Sequence, residues 1–238
     1  MMCSKIVLVF AALIAFQAVS ARPRDSQSEL QRAVEDFRNA TIDAIREGNT
    51  KMINLLKELA VSSRETEKQA YQKIEAKVEA AISQVNLEEE QALAEGLNVE
   101  DCIIIARDSL NALVGLLSND VQNCGWNARQ QSQTMVNDIS NTIGWEFNHK
   151  NQAYIASWDL CLSKEDSNPC LRDLITLVKA DTKNYPVEIG QRIGQIISAI
   201  GLVESGMFQC IDRANIAANQ AQSIVSQIYS CLYIHNQQ

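Results

Sequence analysis

Apolar residues recur along this chain at helical spacing. In the first half Leu30, Val34, Phe37, Ile42 and Ile45 form one stripe, and Met52, Leu55, Leu56 and Leu59 continue it past Gly48-Asn49. Tyr71, Ile74, Val78, Ile82 and Val85 form a second stripe. Steps of three and four residues place such positions on one helix face. The polar run Ser62-Ser63-Arg64-Glu65-Thr66-Glu67 separates the stripes. The pattern predicts two long amphipathic helices, about 26–61 and 64–94. Their apolar stripe is narrow, so they should lie as an arm or hairpin against something else, with the main core not depending on them.

The second half is punctuated more clearly. Gly96 is placed to close the preceding helix, and Asn98 to cap the next, with Asp101 three residues on. That helix carries Ile104, Ile105, Leu113, Leu116, Leu117 and Val121 and is expected to end at Gly125. A long helix capped by Asn127 follows through Met135, Ile139, Ile143, Phe147, Ile155 and Trp158. After the polar loop Ser163–Asn168, Pro169 sits in the first turn of a third helix, where its missing N–H is tolerated. Tyr185-Pro186 predicts a break or kink. Ile189, Ile193, Ile196, Ile197 and Ile200 continue the pattern, and a last helix holds Phe208, Ile211, Ile216, Ile224, Val225, Ile228 and Leu232. The fold class expected is all-α: an antiparallel helical bundle preceded by a charged amphipathic helical arm.

Composition sharpens this picture. Residues 22–100 carry 27 charged side chains and no cysteine, while residues 101–238 carry 22 charges and six cysteines. The domain expectation is therefore a signal peptide over 1–21, a charged helical arm over 22–96 and a disulfide-stapled bundle over 97–238. The leader follows from Lys5, the apolar run Ile6–Phe16 and the small residues Val19-Ser20-Ala21, the layout of a cleaved secretory signal. Eleven apolar residues are too few to span a bilayer, so the chain is expected to be secreted with no membrane segment. Without Lys5 the chain has 20 basic and 29 acidic residues. That balance argues against nucleic acid, which needs a basic patch, and against anionic membranes.

Six cysteines remain once Cys3 leaves with the leader: Cys102, Cys124, Cys161, Cys170, Cys210 and Cys231. An even number in an exported chain implies disulfides. Cys102–Cys124 and Cys210–Cys231 each enclose about two dozen helical residues, roughly 32 Å at the α-helical rise. Neither pair can bond within its own helix, because a disulfide needs Cα atoms within about 7 Å. An up-down-up-down bundle brings Cys102 to Cys231 at one end and Cys124 to Cys210 at the other, with Cys161 and Cys170 facing across a short turn.

Chemistry-bearing motifs are sparse. Glu146-Phe-Asn-His149 has the spacing of a helical ligand pair, but a di-metal bundle needs a second such motif, and His235 lacks one. No metal or other cofactor is expected. Glu88-Glu89-Glu90 reads as a solvated face, and no nucleophile-elbow, P-loop or dinucleotide motif occurs, so the chain is read as no enzyme. Gly190, Gly194 and Ser198 share one helix face and suit close helix packing. Trp126, Trp145 and Trp158 could line a ligand groove, but core or boundary packing is the commoner use of tryptophan and is the placement expected for them. Asn39-Ala40-Thr41 is an N-glycosylation sequon, making Asn39 the candidate glycan site.

The cysteine-bearing half, with Cys102 to Cys124, the loop Cys161-Leu-Ser-Lys-Glu-Asp-Ser-Asn-Pro-Cys170 and Cys210 to Cys231, resembles the TsetseEP-domain proteins of insects over residues 95–233. The insect haemolymph 27-kDa glycoproteins are a second resemblance. The Glu-Pro repeats that name the first family are absent from this sequence. The resemblance brings no catalytic residues and implies an extracellular insect protein of the gut lumen or body fluid, in some cases linked to responses to microbes. The expected function is a secreted, non-enzymatic interaction protein whose partner is a protein, glycan or microbial surface. The alternative is an extracellular carrier that holds a hydrophobic small molecule between its helices.

Overall fold

The computed structural model describes residues 25–235, with side chains described to Cys231; the expected signal peptide over 1–21 lies outside the described residues. Four helices follow one another: α1 (Asp25–Ala94), α2 (Glu100–Leu162), α3 (Ser167–Ala217) and α4 (Gln220–His235). At about 1.5 Å per residue, α1 is roughly 105 Å long and α2 roughly 95 Å. α3 runs back along both, and after a turn at Ala218 and Asn219 α4 packs against α1 and α2 in its turn. The result is an elongated three-layered antiparallel bundle with no strand among the described residues.

The helices are longer than the sequence pattern suggests. The two helices expected over 26–61 and 64–94 are one, and α2 runs unbroken through Gly125. Both expected boundaries turn out to be a single contact. Glu67, from the polar run of α1, lies over Gly125 of α2, where a Cβ would fall 1.6 Å from its Oε1. Arg129, one turn further along α2, donates to that Oε1 at 2.5 Å and to Ser63 Oγ at 2.7 Å. Residues that read as helix-breaking are thus a buried polar joint between two continuous helices. α3 likewise continues through Pro186, with Tyr185 and Ile189 buried on either side. The four-helix course expected for the second half is therefore a two-stranded hairpin of α2 against α3 and α4.

One periodicity explains the length. In α1 the fully buried positions Leu30, Thr41, Met52, Ser63, Ile74 and Val85 recur every eleven residues. Val99, Leu110, Val121, Ser132, Ile143 and Tyr154 do the same beside and along α2, as do Val178, Ile189, Ile200 and Ile211 in α3. Eleven residues make three turns at about 3.67 residues per turn, close to the relaxed α-helix. The contact face then drifts little around each helix, so long helices stay in contact with only slight right-handed coiling.

Local chemistry sets the ends. Gly96 has φ +78°, Leu97 N–H donates to Ala92 O and Gly96 N–H to Leu93 O, both at 3.0 Å. This is a Schellman stop that only glycine adopts without strain. α2 begins without the side-chain cap expected from Asn98; Val99 stands at the cap, and Glu100 and Asp101 meet the positive end of the helix dipole. Asp166 caps α3 by accepting from Asn168 N–H.

Core burial shows how α1 is used. Leu30, Phe37, Met52 and Ile74 are fully buried in one cluster with Ile103, Leu110, Ile143, Leu171, Ile189 and Ile200. The charged arm thus precedes the stapled hairpin and also supplies one side of its core, in contrast to the expectation of a core that does without it.

Candidate functional site

The disulfides define the hairpin. Cys102 is bonded to Cys231, Cys124 to Cys210 and Cys161 to Cys170, with Cα–Cα distances of 6.0, 5.9 and 5.4 Å. These are the partners that the spacing argument names, although the topology differs. Any antiparallel hairpin turning at 163–166 matches residues by equal steps from the turn, and the two Cys intervals, nearly equal on α2 and on the α3–α4 side, satisfy that rule. The three bonds staple the far end, an intermediate level and the turn. Three intramolecular disulfides place the folded chain in an oxidising environment. α1 carries no cysteine and is held by packing and polar contacts alone.

The densest cluster of aromatic and ionisable groups lies near the turn end. Phe37 of α1 reaches Phe147 and Tyr154 of α2 and Tyr185 of α3, with ring centroids 6.1, 5.1 and 5.9 Å away. Around this ring stack the charged groups pair off, while the buried Tyr185 hydroxyl has no hydrogen-bond partner. Asp181 accepts from the Tyr154 hydroxyl and from Lys150 Nζ at 2.9 Å. Lys150 also lies 5.1 Å from the Tyr185 ring centroid, in cation–π range. One turn before Lys150 on α2, Glu146 accepts from Arg192 of α3 at 2.5 Å.

Burial works against the Asp181 carboxylate, but the bonds from Tyr154 and Lys150 outweigh it and hold its pKa below the ordinary carboxylate range. The Tyr154 phenol is pushed well above 10 by burial and by its bond to Asp181. The Tyr185 phenol is pushed up to about 12 by burial and by the nearby Glu146 charge. One Asp181 oxygen takes both donors from α2 and both phenols are held neutral, so the cluster acts as a lock between α2 and α3.

The other sequence-flagged residues are dispersed. Glu146 is committed to Arg192, while His149 stacks on Trp145, with ring centroids 5.3 Å apart and planes 5° from parallel. Among the described residues no group of His, Cys, Asp and Glu side chains is arranged to hold a metal ion. Glu88 accepts from the Tyr229 hydroxyl and Glu89 from Arg107. Trp126 and Trp145 are exposed, contrary to the core or boundary placement expected for them, and Trp158 packs partly buried against the core. Gly190, Gly194 and Ser198 do lie on one face of α3, but that face looks to solvent and meets no neighbouring helix. Gly194 and Ser198, with Gln191, Gln195, Ala199 and Leu202, line an open surface trough. The close approaches sequence reasoning missed are at Gly125 and at Gly48, where a Cβ would fall 2.0 Å from Ile193 Cδ1. Asn39 is exposed and Thr41 fully buried.

The chain matches no family model, no curated protein and no solved structure.

Proposed function

We propose that this is a secreted, non-enzymatic interaction protein of an insect gut lumen or body fluid, working through the outer surface of a disulfide-stapled rod. The observation that carries the reading is the distribution of the disulfides, which join α2 to α3 and α4 at both ends and between. Such crosslinks restrict the unfolded chain and suit a protein that must persist outside the cell. The leader-like residues 1–21 agree with export, and the resemblance to TsetseEP-domain proteins gives the setting, with a protein, glycan or microbial surface as partner.

The rod offers partners a long surface. Exposed apolar side chains such as Val61, Ile105, Leu116, Trp126, Trp145 and Leu202 are scattered along it among charged residues. The test is expression of the whole chain in insect cells, followed by binding of the purified protein to intact microbes and to immobilised glycans. Disulfide-bonded protein in the medium, beginning at Arg22 and retained on one of those surfaces, is the expected result. Retention inside the cell with residues 1–21 attached would sink the reading. A lipid or pigment seen with the protein by native mass spectrometry would replace it with the carrier.

A further inference from the structure

We infer that Asn39 carries an asparagine-linked oligosaccharide attached before α1 folds, and that this modification is the reason Thr41 has a hydroxyl group. The inference rests on export, the reading given above, and adds a covalent site to it.

Two observations meet at this segment. Asn39-Ala40-Thr41 has the acceptor pattern for N-glycosylation, which requires a hydroxyl two residues after the asparagine. Thr41 is fully buried at one of the eleven-residue core positions of α1, and its Oγ1 has no hydrogen-bond partner. A buried hydroxyl without a partner is destabilising, and valine has nearly the same shape without that penalty. The folded protein therefore gives no reason for threonine here. The acceptor sequence does. Ser132 also buries an unpartnered hydroxyl, but Gln130 stands two residues before it, so this account is specific to Thr41.

Helix geometry then fixes the order of events. Residues two apart in a helix point to nearly opposite sides. Asn39 accordingly faces solvent while Thr41 faces the core. A transferase that reads both side chains together must meet this segment as extended chain, before α1 forms and docks. Once attached, the glycan projects from the outer face of α1, where the neighbouring Asp36 and Asp43 are also exposed, and it obstructs no helix contact.

The step is a group transfer from a polyprenyl-diphosphate-linked oligosaccharide. The Asn39 Nδ2–C1 bond forms as the C1–O bond to the diphosphate breaks. The polyprenyl diphosphate leaves with the electron pair, and the proton lost from Nδ2 balances its charge.

The experiment uses the mature chain from Arg22 behind an established secretory leader in eukaryotic cells, so that the native leader is not under test. Peptide mass mapping should find a glycan on Asn39 in the wild type and in T41S, and none in N39Q or T41V. Thermal unfolding should place N39Q/T41V several degrees above N39Q, both being unmodified. An unmodified Asn39 in secreted wild-type protein overturns the site. A double variant that melts at or below N39Q overturns the explanation of Thr41, because the hydroxyl would then serve the fold.

Discussion

Asp181 shows how a single side chain ties two helices. Its carboxylate takes one bond from Tyr154 and one from Lys150, both on α2, while it stands on α3. The folded pKa is depressed, so the interaction stabilises fully above the unfolded value of about 3.9 and is lost as pH falls through the folded pKa. Asp181→Asn keeps the shape but removes the charge. It should lower stability at neutral pH by about 1.5–3 kcal/mol, the range for hydrogen bonds to a charged group. The same variant should lose less stability than the wild type between pH 5 and acid, because the titrating group is gone. Chemical denaturation at a series of pH values checks both, and parallel acid profiles for the two proteins would show that Asp181 is not the coupled group. The glycines make a second contrast at this scale. Gly144→Ala meets open space and should stabilise by about 0.5–1 kcal/mol, the helix preference for alanine. Gly48→Ala gains the same preference but drives a methyl into Ile193 inside the core, where overpacking costs about 1–3 kcal/mol. It should therefore melt below Gly144→Ala, and equal melting temperatures would mean that Ile193 turns aside freely.

Between residues and the whole rod, α1 is the element whose role the sequence concealed. Its apolar stripe looks narrow because its buried positions hold Thr41, Gly48, Ser63 and Glu67 as well as Leu30, Met52 and Ile74, Thr41 and Ser63 standing in the eleven-residue series itself. Hydrophobicity read alone skips those four, so the repeat that keeps α1 in contact over its whole length does not show. The same blindness divides α1 near Ser63 and α2 at Gly125, since a polar run and a glycine read as endings when each is seen without its partner. What was legible followed from local chemistry or from counting. Gly96 stops α1, the second half is helical throughout, and cysteine spacing pairs the ends of a hairpin. The Tyr154–Asp181–Lys150 lock was not legible, because equal steps from the turn set which levels of α2 and α3 meet but not which polar side chains at a level bond to each other. A chain beginning at Leu97 tests the element directly. Without α1, Phe147 and Tyr154 lose Phe37 and Ile193 loses its cover at Gly48. The disulfides should hold the hairpin together, but cooperative thermal unfolding should disappear and a hydrophobic dye should bind. A sharp melting transition in that truncated chain would show that the hairpin has a sufficient core of its own.

At the scale of the molecule, the eleven-residue period and the disulfides lead to one measurable consequence, which is shape. A compact domain of this size would have a radius of gyration of about 17 Å. Helices of roughly 100 Å packed side by side behave as a rod, whose radius of gyration is its length divided by the square root of twelve, about 30 Å. The difference is large because α1, α2 and α3 each run most of the length of the bundle and none folds back on itself. Three features oppose a collapse to something rounder. α2 continues through Gly125, α3 continues through Pro186, and the Cys124–Cys210 bond fixes the two strands side by side away from either end. Small-angle X-ray scattering on the monomeric, disulfide-intact protein should give a radius of gyration near 30 Å and a maximum dimension of at least 100 Å. A value near 17 Å would mean that the long helices break in solution, and the joint of Glu67, Gly125 and Arg129 is where α1 and α2 would be expected to fold over together.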